Sequence, residues 1–164
     1  MQILILLAVI PSIIIAMILY LSDKKEKEPV LELVKAFFMG IGSIVLTLIV
    51  SYMFNIIDIK LDTDNIIQVF IYSFIDIALV EELSKWLCSY LFVRRNRNFN
   101  YMYDGIIYFA FVSLGFATVE NILYAFSGEL STVLIRAFTT VPAHTFFGIT
   151  GGYYYALAIR EKIK

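Results

Sequence analysis

Five long apolar runs, separated by short charged segments, dominate this sequence of 164 residues. They cover approximately residues 2–21, 34–57, 66–93, 106–126 and 131–159. About 20 mostly apolar residues suffice for a helix to cross a lipid bilayer, so each run is long enough. Only 16% of the residues are charged, which leaves little for a soluble domain. We therefore predict an all-α, polytopic membrane helix bundle with about five transmembrane helices, in which residues 1–164 form a single transmembrane domain.

Lys and Arg are concentrated in three polar segments, which predicts how the chain is oriented in the membrane. Positive charge marks cytoplasmic loops, whereas the connections "DIKLDTDN" and "SGEL" are mainly acidic or lack a base. We therefore expect a multi-pass protein of the cell membrane with its N-terminus outside and its C-terminus in the cytoplasm. The basic residues concerned are Lys24, Lys25, Lys27, Arg94, Arg95, Arg97, Arg160, Lys162 and Lys164.

The overall charge and the cysteine content exclude several classes of protein. A net charge of −1 gives no basic surface for a polyanion, so no nucleic acid partner is expected. Cys88 is the only cysteine, which excludes an intrachain disulfide and a cysteine zinc cluster. The lipid bilayer is the one partner that composition alone predicts.

The third apolar run contains the segment "ALVEELSKWL", with two glutamates and a lysine near its midpoint. An ionisable side chain at that depth is costly and usually faces a charged partner or a wet cavity. Glu81 and Glu82 lie four and three residues before Lys85, so either carboxylate can reach the ammonium group. One cation cannot fully compensate both. We expect Glu82 and Lys85 to form a structural pair and Glu81 to remain available as a base or a metal ligand.

The fourth and fifth runs supply further polar groups. "GFATVENILY" places Glu120 and Asn121 in an apolar helix that we expect to begin near residue 106, with Asp104 as its N-cap. The fifth run carries His144, the only histidine, and Pro142 should bend the helix just before it. Small or polar residues at steps of four share a face with this histidine and would allow another backbone to approach closely. They are Arg136, Thr140, Gly148 and Gly152.

Carboxylates and an imidazole gathered where water is scarce can activate a water molecule and stabilise an oxyanion. Glu81 could take the proton from water while His144 donates to the oxyanion. Alternatively, Glu81 or Glu82 could hold a zinc ion together with Glu120 and His144, because catalytic zinc sites use His and carboxylate ligands. The residues leave this choice open. No H-E-x-x-H motif is present to favour the ordinary soluble zinc proteases.

These elements resemble the PrsW family of bacterial membrane proteases, within the CAAX protease and bacteriocin-processing superfamily. The segments "VEELSK", "GFATVEN" and "RAFTTVPAHTFFGITGG" occur in the family's order on successive helices, after the loop "SDKKEKEP". The resemblance implies intramembrane hydrolysis of a peptide bond in a membrane protein, such as a single-span anti-sigma factor whose cleavage starts a stress response.

The resemblance also implies roles for individual residues. Glu81 matches the general base, Glu82 the glutamate that pairs with the downstream cation, and His144 the second histidine of the superfamily. Two positions depart from the wider superfamily: Glu120 stands where F-x-x-x-H has histidine, and Gly148 where H-x-x-x-N has asparagine. The implied catalytic set is Glu81, Glu82, Glu120 and His144, with Lys85, Asn121, Arg136 and Gly148 supporting it.

Two other functions are compatible with the same residues. The scaffold could serve a non-catalytic membrane protein, such as a bacteriocin-immunity or interaction factor. Intramembrane carboxylates and a histidine also suit a proton or ion pathway.

Overall fold

The computed structural model describes residues 1–24, 26–56 and 65–160, and all of the regular structure in these ranges is helical. Most of the predicted acidic connection (57–64), together with Lys25, Lys162 and Lys164, lies outside the described residues. A π-helical segment, Ser73–Leu79, continues the helix Ile66–Tyr72 directly into the helix Val80–Val93. The helices are α1 (Gln2–Ser22), α2 (Val30–Ile56), α3 (Ile66–Tyr72), α4 (Val80–Val93), α5 (Met102–Ala125), α6 (Leu130–Phe138) and α7 (Thr140–Ala158).

Helix α5 lies at the centre of the bundle and contacts α1, α2, α4, α6 and α7. Most of its residues are buried, and its Ile107, Tyr108 and Val112 form the main apolar core with Leu33 and Ala36 of α2. The outward faces of α1 and α2 expose many large apolar side chains, as expected for helices that face lipid. The polar residues Ser113, Thr118 and Asn121 are buried on the same central helix. Groups carried by α5 are thereby surrounded by other helices.

Glycines let two helices cross α5 with their backbones almost in contact. A Cβ atom added at Gly152 would lie 2.1 Å from the carbonyl oxygen of Gly105, and one at Gly148 would lie 2.8 Å from that of Phe109. The close backbone approach predicted for the Gly148-x-x-x-Gly152 face is confirmed, and α5 is its partner. Gly115 packs equally closely against α2: an added Cβ atom would lie 2.0 Å from the carbonyl oxygen of Phe37.

Helix α5 begins earlier than predicted, and Asp104 is not its N-cap. The helix starts at Met102, and the Asp104 carboxylate accepts hydrogen bonds from the backbone N–H groups of Asn100 and Tyr101, both at 2.7 Å. The carboxylate therefore reaches back from the third helical position, as in a capping box. The spacing of apolar residues alone could not reveal this contact.

The fifth apolar run is two helices rather than the single helix predicted for residues 131–159. The chain breaks at Thr139, between α6 and α7, and Pro142 lies in the first turn of α7. Proline has no N–H to donate to the carbonyl of Phe138, so the predicted disturbance before His144 is confirmed as a complete break. The stripe at steps of four is consequently interrupted after Arg136, which belongs to α6.

The all-helical class is confirmed, and in the described part of the chain three helices are both long and apolar enough to cross a membrane. They are Gln2–Ser22, Val30–Phe54 and Met102–Ala125. The third and fifth predicted spans are each built from shorter helices. The π-helical segment divides the third span, and the break at Thr139 divides the fifth. Segments of this kind are tolerated at membrane depth when other helices cover them.

The connection between α1 and α2 is held against the start of α5 by a buried carboxyl group. Glu28 is 3% exposed, accepts a hydrogen bond from the Tyr108 hydroxyl and is hydrogen-bonded to Asp104. Burial raises the pKa of Glu28 to about 8, and the nearby Asp104 and Asp23 carboxylates act in the same direction. Glu28 is therefore protonated at neutral pH and can donate a hydrogen bond to Asp104.

Candidate active site

Four helices bring the predicted site residues together on one side of α5. Glu81, Glu82 and Lys85 lie in the first two turns of α4, immediately after the π-helical segment. Glu120 and Asn121 come from the last turns of α5, Arg136 from α6 and His144 from α7. π-helical segments inside α-helices often occur at functional sites, and this one ends at Leu79, two residues before Glu81.

His144 lies at the centre of the cluster and is 8% exposed. Its Nδ1 atom lies 2.6 Å from the Lys85 ammonium nitrogen and 3.3 Å from Oε1 of Glu82, and its Nε2 atom lies 3.0 Å from Oε2 of Glu120. The ring also packs edge-on against Phe116, with the ring centroids 5.4 Å apart. The imidazole therefore links α4 to α5.

The Lys85 ammonium group determines where the proton of His144 lies. Lys85 is 2% exposed, and its nitrogen contacts both Oε1 of Glu82, at 2.5 Å, and Nδ1 of His144. An ammonium group has only donors, so Nδ1 must accept this hydrogen bond and carry no proton. A neutral ring then has its proton on Nε2, from which it donates to Glu120. The pair of Glu82 and Lys85 expected from their spacing is present, and it extends to the histidine.

Arg136 contacts the same carboxylate oxygen of Glu120 as His144 does. The guanidinium group lies 2.8 Å from Oε2 of Glu120, and its Nε donates to the side-chain oxygen of Asn121 at 2.9 Å. Asn121 in turn donates to the backbone carbonyl of Ala8 in α1. Tyr124 stacks on the guanidinium group at 3.8 Å. Arg136 thus contacts Glu120 directly, while Asn121 and Tyr124 hold the guanidinium group in place.

Glu81 differs from the other two glutamates because no hydrogen bond or ion pair of the described residues involves its carboxylate. It nevertheless lies beside the imidazole. One ligand atom each of Glu81, Glu120 and His144 lies within 4.8 Å of the others, and in the described ranges this is the one such group. Two carboxylates and an imidazole match the ligand chemistry of catalytic zinc sites, so this donor set could hold a divalent metal ion.

Two contacts near the site were not predicted from the sequence. Ser113 of α5 occupies the space beside Gly148: a Cβ atom at Gly148 would lie 2.5 Å from the serine hydroxyl oxygen. Phe116 lies under the Lys85 ammonium group, 4.6 Å from ring centroid to nitrogen. The spacing of Phe116 and Glu120, four residues apart on one helix, was a signal that the two share a face. No local signal placed Ser113 opposite Gly148.

Comparisons with known proteins show which sequences this chain is similar to. Residues 28–164 match the family described as PrsW family intramembrane metalloprotease. The chain is 34% identical to Protease PrsW of Geobacillus kaustophilus, over 92% of this chain and 64% of that protein. It is 33% identical to Protease PrsW of Bacillus subtilis, over 88% of this chain and 63% of that protein. It therefore spans somewhat less than two thirds of the length of these relatives, and no solved structure matches it.

The contact between Lys85 and His144 makes a prediction about the proton on the imidazole. In metal-free protein labelled with ¹⁵N-histidine, the single histidine should carry its proton on Nε2, because Nδ1 accepts from Lys85. In Lys85→Met the proton should move to Nδ1 and face Glu82. Lys35→Met is the matched control, since Lys35 forms an exposed pair with Glu32 at the same three-residue spacing. A proton on Nδ1 of the unsubstituted protein would contradict this arrangement.

Proposed function

Because this chain belongs to the PrsW family, we propose that it is an intramembrane protease that hydrolyses a peptide bond of a membrane protein at Glu81, Glu120 and His144. The observation that carries the proposal is the meeting of these three side chains inside an apolar bundle, with their ligand atoms within 4.8 Å. Ionisable groups at such depth are costly and are typically retained for function. Glu82, Lys85, Asn121 and Arg136 position them.

Glu81 is the proposed general base. Its carboxylate is unpaired among the described residues, whereas Glu82 is bound to Lys85 and Glu120 to Arg136. A water molecule beside it gives one proton to Glu81 while its oxygen forms a bond to the substrate carbonyl carbon. When the C–N bond breaks, Glu81 returns that proton to the departing nitrogen. The products are a new carboxyl group and an amine, so the atoms of one water molecule are accounted for.

His144 is the proposed donor to the oxyanion that develops on the substrate carbonyl oxygen. Its Nε2 proton faces the side of the site where Glu120 and Glu81 meet. Lys85 keeps that proton on Nε2 by donating a hydrogen bond to Nδ1. The positive charge of Lys85 therefore lies next to the other nitrogen of the ring. Donors oriented before the reaction stabilise developing charge most effectively where water is excluded.

As an alternative to these metal-free roles, we propose that Glu81, Glu120 and His144 hold the metal expected for this family, zinc; Glu81 and His144 would then be ligands rather than base and oxyanion donor. When bound, zinc would lower the pKa of a water molecule and polarise the substrate carbonyl. The residues behind these ligands would then orient them: Arg136 contacts Glu120, and Glu82 lies beside Nδ1 of His144. Such partners of metal ligands commonly fix the orientation of the ligand.

The proposed substrate is the membrane-spanning segment of another protein. The site residues lie within helices of an apolar bundle, so a peptide that reaches them must itself tolerate an apolar setting. The family resemblance favours a single-span anti-sigma factor as this substrate. The proposed orientation of the protease places its basic loops in the cytoplasm and its N-terminus outside.

Loss of the proposed catalytic groups should abolish proteolysis without unfolding the protein. Glu81→Gln, Glu120→Gln and His144→Ala should each lower kcat/KM for a single-span substrate by about 10²- to 10⁴-fold, the range typical of general acid–base groups. The measurement is cleavage in reconstituted vesicles by proteins that insert and elute as the unsubstituted protein does.

Glu32→Gln is the control, because Glu32 is paired with Lys35 in the first turn of α2, away from the site. Full activity in all three site variants would overturn the proposal. Charge movement across the vesicles that disappears in the same variants, with no cleavage by any of the proteins, would indicate an ion pathway instead.

Zinc binding can be measured independently of activity. Equilibrium dialysis followed by elemental analysis should find about one zinc per chain, because the three side chains form a single donor set. Glu120→Gln and His144→Ala should lose it, whereas Ser84→Ala, one turn from Glu81 and outside the donor set, should retain it. Equal zinc content in all of these proteins, or none in the unsubstituted one, would contradict the proposed metal site.

A further inference from the structure

A groove of about 230 Å³ lies between α4 and α7, next to the candidate active site. Leu83 and Trp86 of α4 form one side, Phe147 and Gly151 of α7 form the other, and Phe109 of α5 forms part of the floor. It opens towards the outside of the bundle rather than towards its centre, since Leu83, Trp86 and Phe147 are 56%, 43% and 53% exposed.

The inner end of the groove is formed by the site itself. Glu82 and Lys85 line it, and the same two residues contact Nδ1 of His144 on their other side. A molecule in the groove is therefore in contact with the groups that hold the histidine. This continuity distinguishes the groove from the apolar cavity between α1 and α2, whose lining contains none of the ionisable residues of the site.

The distances along the helices suit a short stretch of peptide. Gly151 follows His144 by seven residues, or about 10 Å at 1.5 Å per residue. Trp86 follows Glu81 by five residues, or about 7.5 Å. An extended peptide advances about 3.3 Å per residue, so a bond held at the site places the next two or three residues along this groove.

The chemistry of the walls selects an apolar side chain. Large apolar residues form both sides, and a cavity of roughly 150 Å³ with such a lining already accommodates benzene. Gly151 keeps the space open: an added Cβ atom would lie 3.6 Å from Phe109 and 3.7 Å from Trp86, in ordinary contact with both rings. Gly148 and Gly152 differ, because the backbone of α5 occupies the space beside them.

We propose that this groove binds an apolar side chain of the substrate's membrane-spanning segment, within three residues of the bond that is cleaved. Gly151 sets the largest side chain that fits. The assignment of the groove to a position near the scissile bond rests on the proposed protease function, whereas the binding of an apolar segment can be tested without cleavage.

The first experiment measures selectivity. The probes are lysine-flanked, single-span peptides in which each residue around the cleaved bond is changed in turn between leucine and alanine. At one peptide position, Gly151→Leu should lower the ratio of kcat/KM for the leucine peptide to kcat/KM for the alanine peptide at least tenfold. This is the discrimination expected when a few methylene groups no longer fit. Gly42→Leu is the control, because Gly42 of α2 has no neighbouring atom within 4 Å of an added Cβ.

The second experiment measures binding without turnover. Cys88 is the only cysteine, so Cys88→Ser gives a cysteine-free chain to which Glu81→Gln and Gly151→Cys can be added. With an added thiol oxidant to accept the two electrons, the same peptides, each with one cysteine, should form a disulfide with Cys at position 151 only when the peptide cysteine is at one or two neighbouring positions. Gly42→Cys in the same background should form at least tenfold less disulfide with these peptides.

The outcomes separate the two proposals. Unchanged leucine-to-alanine selectivity in an active Gly151→Leu protein would overturn the groove assignment and leave the protease function standing. Equal crosslinking at every peptide position, or equal crosslinking to positions 151 and 42, would also overturn it and would indicate non-specific contact with an apolar surface. Selective crosslinking at 151, together with no cleavage of any of the peptides by the protein that retains Glu81, would support the groove and overturn the protease function.

Discussion

An ionised side chain in the interior of a membrane bundle costs several kcal/mol unless a partner of opposite charge or a hydrogen bond compensates it. Here one continuous series of contacts supplies that compensation. It runs from Glu82 through Lys85 to Nδ1 of His144, and from Nε2 to Glu120 and Arg136. Because its members come from α4, α7, α5 and α6, the relative positions of these helices and the orientation of the imidazole depend on it.

The remaining features of the fold bring these groups within reach of one another. Glycines at the crossing of α5 and α7 allow the two backbones to approach closely enough for His144 to contact Glu120. The break at Thr139 separates Arg136 from the helix of His144 and leaves both able to reach the same carboxylate. Glu81 alone among the three glutamates has no partner in the described residues, which is the arrangement that a base requires.

Much of the helical class and the local pairings could be predicted from the sequence, because their signals lie within a few residues. The apolar runs predicted the helices, and the three-residue spacing predicted the contact of Glu82 with Lys85. The contact of Lys85 with His144 joins residues 59 positions apart and has no such signal. The break at Thr139 and the backward reach of Asp104 depend on backbone geometry that apolar periodicity does not specify.

A double-mutant cycle tests the central series of contacts most directly. Lys85 and Glu120 contact opposite nitrogens of His144, so their effects on the free energy of unfolding should be coupled through the ring. The sum of the free-energy changes of Lys85→Met and Glu120→Gln should differ from the change of the double variant by more than about 0.5 kcal/mol. Lys35→Met with Glu120→Gln should be additive. Additivity of Lys85→Met with Glu120→Gln would contradict the account.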